Sequence, residues 1–297
     1  MSVYNGERYL REQIDSILNQ KTPHELHLCI RDDGSRDKSC EIAEEYVSRY
    51  PNRVSLIRGS NLGYNGSFFS LLQSAHGYDY YSLSDQDDVW QEDKLQIACD
   101  ALDSAGDGTP ALYASTSSLV HDDLVPYGTT RRKEREMSMY NTIVQNICPG
   151  HTQVMNKELL ALLQREIDTK RIYVYDAWIA NTANLYGVLL FDNTPHTFYR
   201  QYAGNQLGSG AGKSGQLMRS LKRNKTGDGL KYRRQIEYFF EYHHDKLAEG
   251  PYFREIERFV NARSFPARLA YSLTGKLYRQ NRVETAAFRL AVLAGRF

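Results

Sequence analysis

The sequence predicts an α/β fold with a mostly parallel central sheet flanked by helices, followed by a helical, basic C-terminal region. Three observations carry this reading. Apolar strand-like runs alternate with helical patterns through residues 1–110, acidic or glycine-containing turns close two of those runs, and basic residues collect toward the C-terminus. With 41% hydrophobic and 25% charged residues among 297, the composition is globular and supplies ample material for a core.

The elements follow in order. A helical pattern over 8–19 leads to a strand at 26–31, which ends in Asp32-Asp33-Gly34-Ser35. A second helix over 38–49 precedes a strand at 54–58, and a third over 67–75 precedes a strand at 80–83. That strand runs into Ser84-Asp85-Gln86-Asp87-Asp88-Val89-Trp90, and a helix is expected from near Val89. In open sheets of this kind ligands bind at the carboxyl ends of the strands, where both acidic motifs fall.

Several classes are disfavoured. Cys29, Cys40, Cys99 and Cys148 contain no C-x-x-C pair, which argues against a zinc site or a disulfide framework and for a reduced, cytoplasmic setting. No run approaches the ~18 to 20 apolar residues of a membrane span, and no signal core is evident. The net charge of +1 hides an asymmetry, with +10 over residues 213–297 and −9 over 1–212. Such a split fits a catalytic body whose tail meets an anionic surface, although a solvated helical face is as common a cause. Nothing points to nucleic acid as a partner.

Three carboxylates at one strand end repel one another, and burying any of them unpaired is costly. A divalent cation with oxygen ligands, Mg²⁺ or Mn²⁺, removes the conflict and commonly binds one or two carboxylates together with substrate phosphates. The bland alternative is that Asp87 or Asp88 caps the following helix. Asp32-Asp33-Gly34-Ser35 is equally ambiguous, serving either a plain strand-to-helix turn or hydrogen bonds to a base or ribose. Asn61-Leu62-Gly63 has the same character.

Taken together, Ser2-Val3-Tyr4-Asn5-Gly6-Glu7, Asp32-Asp33-Gly34-Ser35, Asn61-Leu62-Gly63 and Ser84-Asp85-Gln86-Asp87-Asp88-Val89-Trp90 resemble, in order and spacing, family 2 glycosyltransferases of GT-A fold. The D-Q-D-D-V-W form with Lys94 after it is most similar to the bacterial rhamnosyltransferase-like branch. The likeness continues more weakly through 150–160 to Tyr199-Arg200-Gln201. It implies a catalytic domain over 1–212, with a nucleotide-sugar half at 1–110 and an acceptor half at 111–212, and a helical region over 213–297. It also implies an inverting, metal-dependent transfer of a sugar such as rhamnose from a dTDP- or UDP-linked donor to a cell-surface polysaccharide or lipid-linked acceptor.

Residue by residue, the resemblance puts Ser2, Tyr4, Asp32 and with it Asp33 around the base and ribose, and Asn61 near the donor. Asp87 would be the direct metal ligand, Asp85 would face the ribose or the metal shell, and Asp88 would be a second ligand or the helix cap. Asp176, in Tyr175-Asp176-Ala177-Trp178, would be the base that takes the acceptor proton, although an Asp there is also an ordinary N-cap. Arg200 would contact the diphosphate. Tyr202 stands where many relatives have His, and a phenol is a much poorer metal ligand than imidazole at neutral pH. Relatives also carry several more apolar residues before the first strand, so further residues upstream of Met1 are expected.

In the tail, 230–247 reads as an aromatic-rich helix, with His243-His244-Asp245 as solvated surface. Residues 265–297 carry six basic residues against Glu284, interleaved with Leu269, Leu273, Leu277, Phe288, Val292 and Leu293. This pattern suits a peripheral contact with the inner membrane leaflet, or dimerisation. Two rival functions stay open. A sugar nucleotidyltransferase usually opens with a glycine- and arginine-rich phosphate loop, absent from Tyr4-Asn5-Gly6-Glu7, and a nucleotide-binding subunit without turnover would have less need of Asp85, Asp87, Asp88 and Asp176.

Overall fold

The structure, a computed structural model, describes residues 1–202 and 227–297. The expected boundary after Gly212 and the glycine-rich run at 204–215 lie outside the described residues. The first unit is a parallel sheet of β1 (Ser2–Val3), β2 (Leu28–Asp32) and β3 (Val54–Arg58), with β2 in the middle. Leu10, Ile14 and Ile17 of helix α1 (Leu10–Leu18) pack at helical spacing against Val3, Leu28 and Ile30. Helix α2 (Ser39–Arg49) adds Ile42, Ala43 and Tyr46 to the same core.

After α3 (Gly63–Ser74), β4 (Tyr80–Ser82) begins a second sheet ordered β10 (Val188–Asp192), β6 (Ala111–Ser115), β9 (Val154–Asn156), β4. The backbone N–H of Ser2 donates to the carbonyl of Ser84 at 3.3 Å, so β1 abuts the end of β4 and the two units face a common edge. The sheet is parallel across β1 to β3 and mixed beyond, because β9 runs antiparallel to both of its neighbours. A third sheet, β5 (Val89–Trp90), β11 (Thr197–Arg200), β7 (Ser118–Val120) and β8 (Pro126–Thr129), closes over the strand ends.

Two expectations are corrected here. Residues 89–90 form a strand rather than the start of a helix: Val89 and Trp90 pair with Phe198 and Thr197, and Trp90 is buried in the β1–β3 core. Helix α4 (Lys94–Asp103) starts later, after Asp93, so neither Asp87 nor Asp88 caps it. His243 is buried rather than solvated. Its ring packs 5.5 Å from that of Trp178 and 4.4 Å from that of Phe239, while His244 is exposed.

The remaining helices are α5 (Met139–Thr142), α6 (Lys157–Leu163), α7 (Tyr175–Tyr186), α8 (Asp228–Tyr242), α9 (His244–Ala248), α10 (Phe253–Asn261), α11 (Phe265–Thr274) and α12 (Arg282–Leu293). One core runs from Phe68 and Trp178 to Phe239, Phe259, Phe288 and Val292. Leu277, Phe288 and Val292, read in the sequence as one stripe with Leu269 and Leu273, are thus core residues, whereas Leu269 and Leu273 remain exposed. Part of the tail's basic charge is also used internally. Arg268 donates to the carbonyls of Arg263 and Leu293, and Arg289 to that of Gly275. All four cysteines are free thiols.

Candidate active site

The acidic loop 84–88 leaves β4 at the edge shared by the sheets and is held by a dense set of bonds. Gln86 clips it to the first strand, accepting from the Tyr4 N–H at 2.7 Å and donating to the Tyr4 carbonyl at 3.1 Å. Gly6 leaves room for that clip, since a Cβ there would lie 2.5 Å from the Gln86 amide carbon and displace its side chain. Gln13 of α1 donates to the Ser84 hydroxyl at 2.8 Å. On the far side Arg200 is 1% exposed and acts as a strut. Its Nε donates to the Asp87 carbonyl at 3.0 Å, its Nη1 to the Asp122 carbonyl at 3.1 Å, and its Nη2 to Glu12. This places Arg200 in support of the acidic loop, where the sequence expectation was a diphosphate contact.

The carboxylates then separate by role. Asp88 is 0% exposed. Its Oδ1 accepts from the Arg200 backbone N–H at 3.3 Å, whereas its Oδ2 has no hydrogen-bond partner. Asp85 keeps 37% of its side chain exposed. His151, from the 3-10 turn Gly150–Thr152, approaches both: its Nδ1 lies 3.8 Å from Asp85 Oδ2 and 3.9 Å from Asp88 Oδ2. One ligand atom from each of Asp85, Asp88 and His151 lies within 4.8 Å of the other two. Asp87 instead accepts a 2.6 Å hydrogen bond from the Tyr202 phenol.

Electrostatics set this cluster apart. Burial first, then the charges of Asp87 and Asp85, raises the Asp88 carboxyl well above its usual range. Burial, Asp87 and Asp176 push Asp85 up to about 7, although water reaches its exposed side and screens part of the repulsion. Burial lowers His151 to about 3, which keeps the imidazole neutral and able to ligate. Its Nε2 lies 2.8 Å from the Ser117 hydroxyl, and its ring stacks 4.4 Å from that of Tyr199. With Nε2 protonated toward Ser117, Nδ1 presents its lone pair to the carboxylates. Lys94 is 0% exposed, with its ammonium 3.2 Å from the centroid of the Trp90 ring. Burial lowers its pKa well below normal while Asp88 and Asp85 pull it the other way.

An unpartnered buried carboxylate oxygen, two carboxylates and a neutral imidazole converging on one point make a donor set that fits a divalent cation. Sequence reasoning missed His151. Its signal was Pro149-Gly150-His151-Thr152, inside the weakly matching stretch and carrying no diagnostic spacing.

Asp176 sits in the first turn of α7. Its Oδ2 accepts from the Gly150 N–H at 3.1 Å and its Oδ1 from the Ala177 N–H at 2.9 Å. Burial pushes this carboxyl up to about 6, opposed by bonds from Asn146, Ala177 and Gly150. Gly150 must be glycine, since a Cβ would stand 1.9 Å from the Tyr175 hydroxyl. The three-residue turn therefore links the two groups: Gly150 holds Asp176 and His151 reaches the acidic loop.

The first-strand residues are placed as follows. The Ser2 hydroxyl donates to Ser67 at 2.6 Å, and the Tyr4 ring is exposed at the rim. Asp33 is buried in an ion pair with Arg31 and also accepts from the Leu62 N–H at 2.9 Å. Asp32 Oδ2 accepts from the N–H groups of Gly34 and Ser35, leaving buried Oδ1 without a partner. Gly34 needs its residue type for its φ of +81°. Asn61 is exposed, and its carbonyl oxygen accepts from the Gly63 N–H at 3.1 Å.

The sequence profile described as Glycosyl transferase family 2 matches residues 1–163. A dTDP-rhamnosyl transferase of Shigella flexneri, RfbG, is 27% identical over 252 residues, covering 80% of this chain and 82% of that protein. The minor teichoic acid biosynthesis protein GgaA of Bacillus subtilis is 32% identical over 101 residues, 33% of this chain and 23% of that protein. Among solved structures, S. aureus TarS 1–349 in complex with UDP-GlcNAc superposes with a TM-score of 0.56 at 15% identity, covering 99% of this chain and 90% of that one. The mannosyltransferase PcManGT of Pyrobaculum calidifontis, in complex with GDP-Man and Mn²⁺, gives 0.54 at 16% identity over 99% and 85%. These likenesses identify the fold as GT-A. The chain is a glycosyltransferase and belongs to glycosyl transferase family 2.

Proposed function

We propose that this enzyme transfers a sugar, with inversion, from a dTDP- or UDP-linked donor to a hydroxyl of a cell-surface polysaccharide or lipid-linked acceptor. The observation that carries the reading is the Gly150–Thr152 turn, which holds a half-buried carboxylate, Asp176, beside the Asp85, Asp88 and His151 cluster. Asp85, Asp88 and His151 would hold Mg²⁺ or Mn²⁺, with Asp87 alongside, and the cation when bound supplies Lewis-acid stabilisation of the departing diphosphate.

The protein's own part is positioning and proton transfer. Asp176 accepts the acceptor hydroxyl's proton as its oxygen bonds to the anomeric carbon. The anomeric carbon–oxygen bond to the donor breaks, and that electron pair leaves on the nucleoside diphosphate. Asp32 Oδ1, buried and unpartnered, is available to a donor hydroxyl or base N–H. Asp33 supports from behind through Arg31. Relatives named for dTDP-rhamnosyl transfer and for teichoic acid biosynthesis support a surface-glycan acceptor.

The test is nucleoside diphosphate release across a panel of dTDP- and UDP-sugars, with and without chelator, and Asp88→Asn as a control. Release requiring a divalent ion and Asp88 supports the reading. Release indifferent to both, from a protein that binds donor, contradicts it.

The proposed peripheral membrane contact, on the cytoplasmic face, rests on Phe265, Leu269 and Leu273, which lie four residues apart along α11 and are all exposed. No helix among the described residues is long and apolar enough to cross a membrane. Co-sedimentation with anionic vesicles, lost in Leu269→Glu/Leu273→Glu, checks it.

A further inference from the structure

A cleft of about 510 Å³ opens between the start of α3, the segment 170–173 and α8. Four cations line it, Lys170, Arg171, Lys231 and Arg234, against a single acid, Glu237. Glu237 is already matched, lying 3.3 Å from Arg233 and 3.8 Å from Arg263. Arg171 is engaged by Glu241 at 2.6 Å and packs over the Tyr238 ring, and Lys231 reaches Asp228 only at 3.8 Å. The Lys170 ammonium and the Arg234 guanidinium are exposed and make no ion pair among the described residues. The cleft therefore carries positive charge that the described residues do not neutralise.

Its floor is fixed rather than loose. Asn65 donates to the carbonyls of Ile172 and Tyr173 at 3.1 and 2.9 Å, and Gln235 accepts from the N–H groups of Tyr173 and Val174 at 2.8 and 2.7 Å. Tyr64 and Tyr173 supply aromatic walls of the kind on which sugar rings pack. The cleft also adjoins the reaction centre by sequence and packing. The backbone that forms its floor continues into Tyr175, whose N–H donates to Asn65 at 3.1 Å and whose ring lies 6.1 Å from that of Tyr64, and the next residue is Asp176.

Resting on the glycosyl-transfer reading above, we propose that this cleft is an acceptor subsite for a phosphate-bearing glycan. Lys170 and Arg234 bind a phosphate or diphosphate group of the acceptor while its sugar lies along Tyr64 and Tyr173, which presents a hydroxyl toward Asp176. The shared chemistry is a phosphorylated saccharide, and its source is either a lipid diphosphate or a phosphodiester polymer.

The test uses the full chain and three probes: a short prenyl-diphosphate-linked monosaccharide, a poly(glycerol phosphate) oligomer and free UDP. Binding of each is measured by calorimetry for wild type, Lys170→Ala/Arg234→Ala and the charge-keeping Lys170→Arg/Arg234→Lys. Both changed residues are exposed, so the fold is retained. The proposal expects one phosphorylated probe, which identifies the source, to bind wild type in a salt-sensitive way. It expects that affinity to fall at least about tenfold in the alanine variant and to return in the charge-keeping one, with UDP unaffected. Undiminished binding of both phosphorylated probes in the alanine variant, or no binding of either to wild type, overturns it. Nucleotide binding reports on the donor site separately: failure of wild type to bind both UDP and dTDP, measured alongside it, would count against the functional reading itself, and an equal loss of nucleotide and phosphorylated probe in the alanine variant would overturn the acceptor assignment.

Discussion

Two acidic turns at neighbouring strand ends look alike in sequence and are built in opposite ways. At Asp32-Asp33-Gly34-Ser35 the chain largely satisfies its own acids: Arg31 and the Leu62 N–H hold Asp33, and two backbone N–H groups hold one oxygen of Asp32. At 85–88 it does the reverse, gathering Asp85, Asp87 and Asp88 where burial raises all three and neighbouring carboxylates raise Asp85 and Asp88 further. There Asp88 Oδ2 has no hydrogen-bond partner. Asp33, held by the protein's own groups, is scaffold, whereas a buried carboxylate oxygen that the protein leaves unpaired, Asp88 Oδ2 amid repelling acids and Asp32 Oδ1 singly, marks a place where a ligand completes the structure.

The sharpest way to break this comparison is on activity. Asp176→Asn keeps the shape but removes the proposed base, and transfer should fall by about 10² to 10⁴ while UDP or dTDP binding is retained. Single-turnover kinetics and calorimetry on the same preparation check both halves. Equal loss of binding would make Asp176 a structural residue.

Stability then separates the two turns by sign. Asp33→Asn leaves Arg31 buried without its counter-ion and should cost about 3 to 5 kcal/mol in denaturant unfolding. Asp88→Asn in metal-free protein should instead stabilise by about 1 to 2 kcal/mol, since it relieves repulsion and keeps an acceptor for the Arg200 N–H. If both variants destabilise alike, the acidic loop is ordinary scaffold.

A control far from either turn concerns His243. Burial lowers its pKa from 6.5 to about 4, with its Nε2 unpartnered and the Tyr186 hydroxyl 3.1 Å from its Nδ1. The unfolded chain therefore takes up a proton before the folded one does. This contribution to stability is full above pH 6.5, drains as pH falls toward 4 by up to about 3 kcal/mol, and is flat below that. His243→Gln should flatten the slope in that window; an unchanged slope would assign the acid sensitivity to other groups.

The smallest effect is expected at Tyr202→Phe. It removes the phenol's bond to Asp87, and transfer should fall only several-fold, read as a change in metal dependence rather than in protein stability. A loss as large as that of Asp176→Asn would move Tyr202 into the catalytic centre.

Much of this was legible in the chain. Alternating apolar runs predicted β2, β3 and β4 within two residues, because each strand is short, apolar and bounded by turn residues. Asp85, Asp88 and Asp176 were named from motifs, yet their division of labour was not. Whether Asp87 or Asp88 faces the imidazole depends on the antiparallel pairing of Val89 and Trp90 with β11, a contact about 110 residues away that no local pattern reveals. His151 was hidden for the same reason, its partners lying over sixty residues upstream. Histidines at 243 and 244 look equivalent in sequence, and only the packing of Trp178 shows that one is core.

The most direct test is the stoichiometry and affinity of Mn²⁺ binding, followed by electron paramagnetic resonance with UDP present, in wild type, Asp88→Asn and His151→Gln. The account predicts one tight ion per chain, weakened at least about tenfold in each variant, with nitrogen hyperfine coupling lost in His151→Gln. Mn²⁺ bound with unchanged affinity and spectrum in both variants would contradict it.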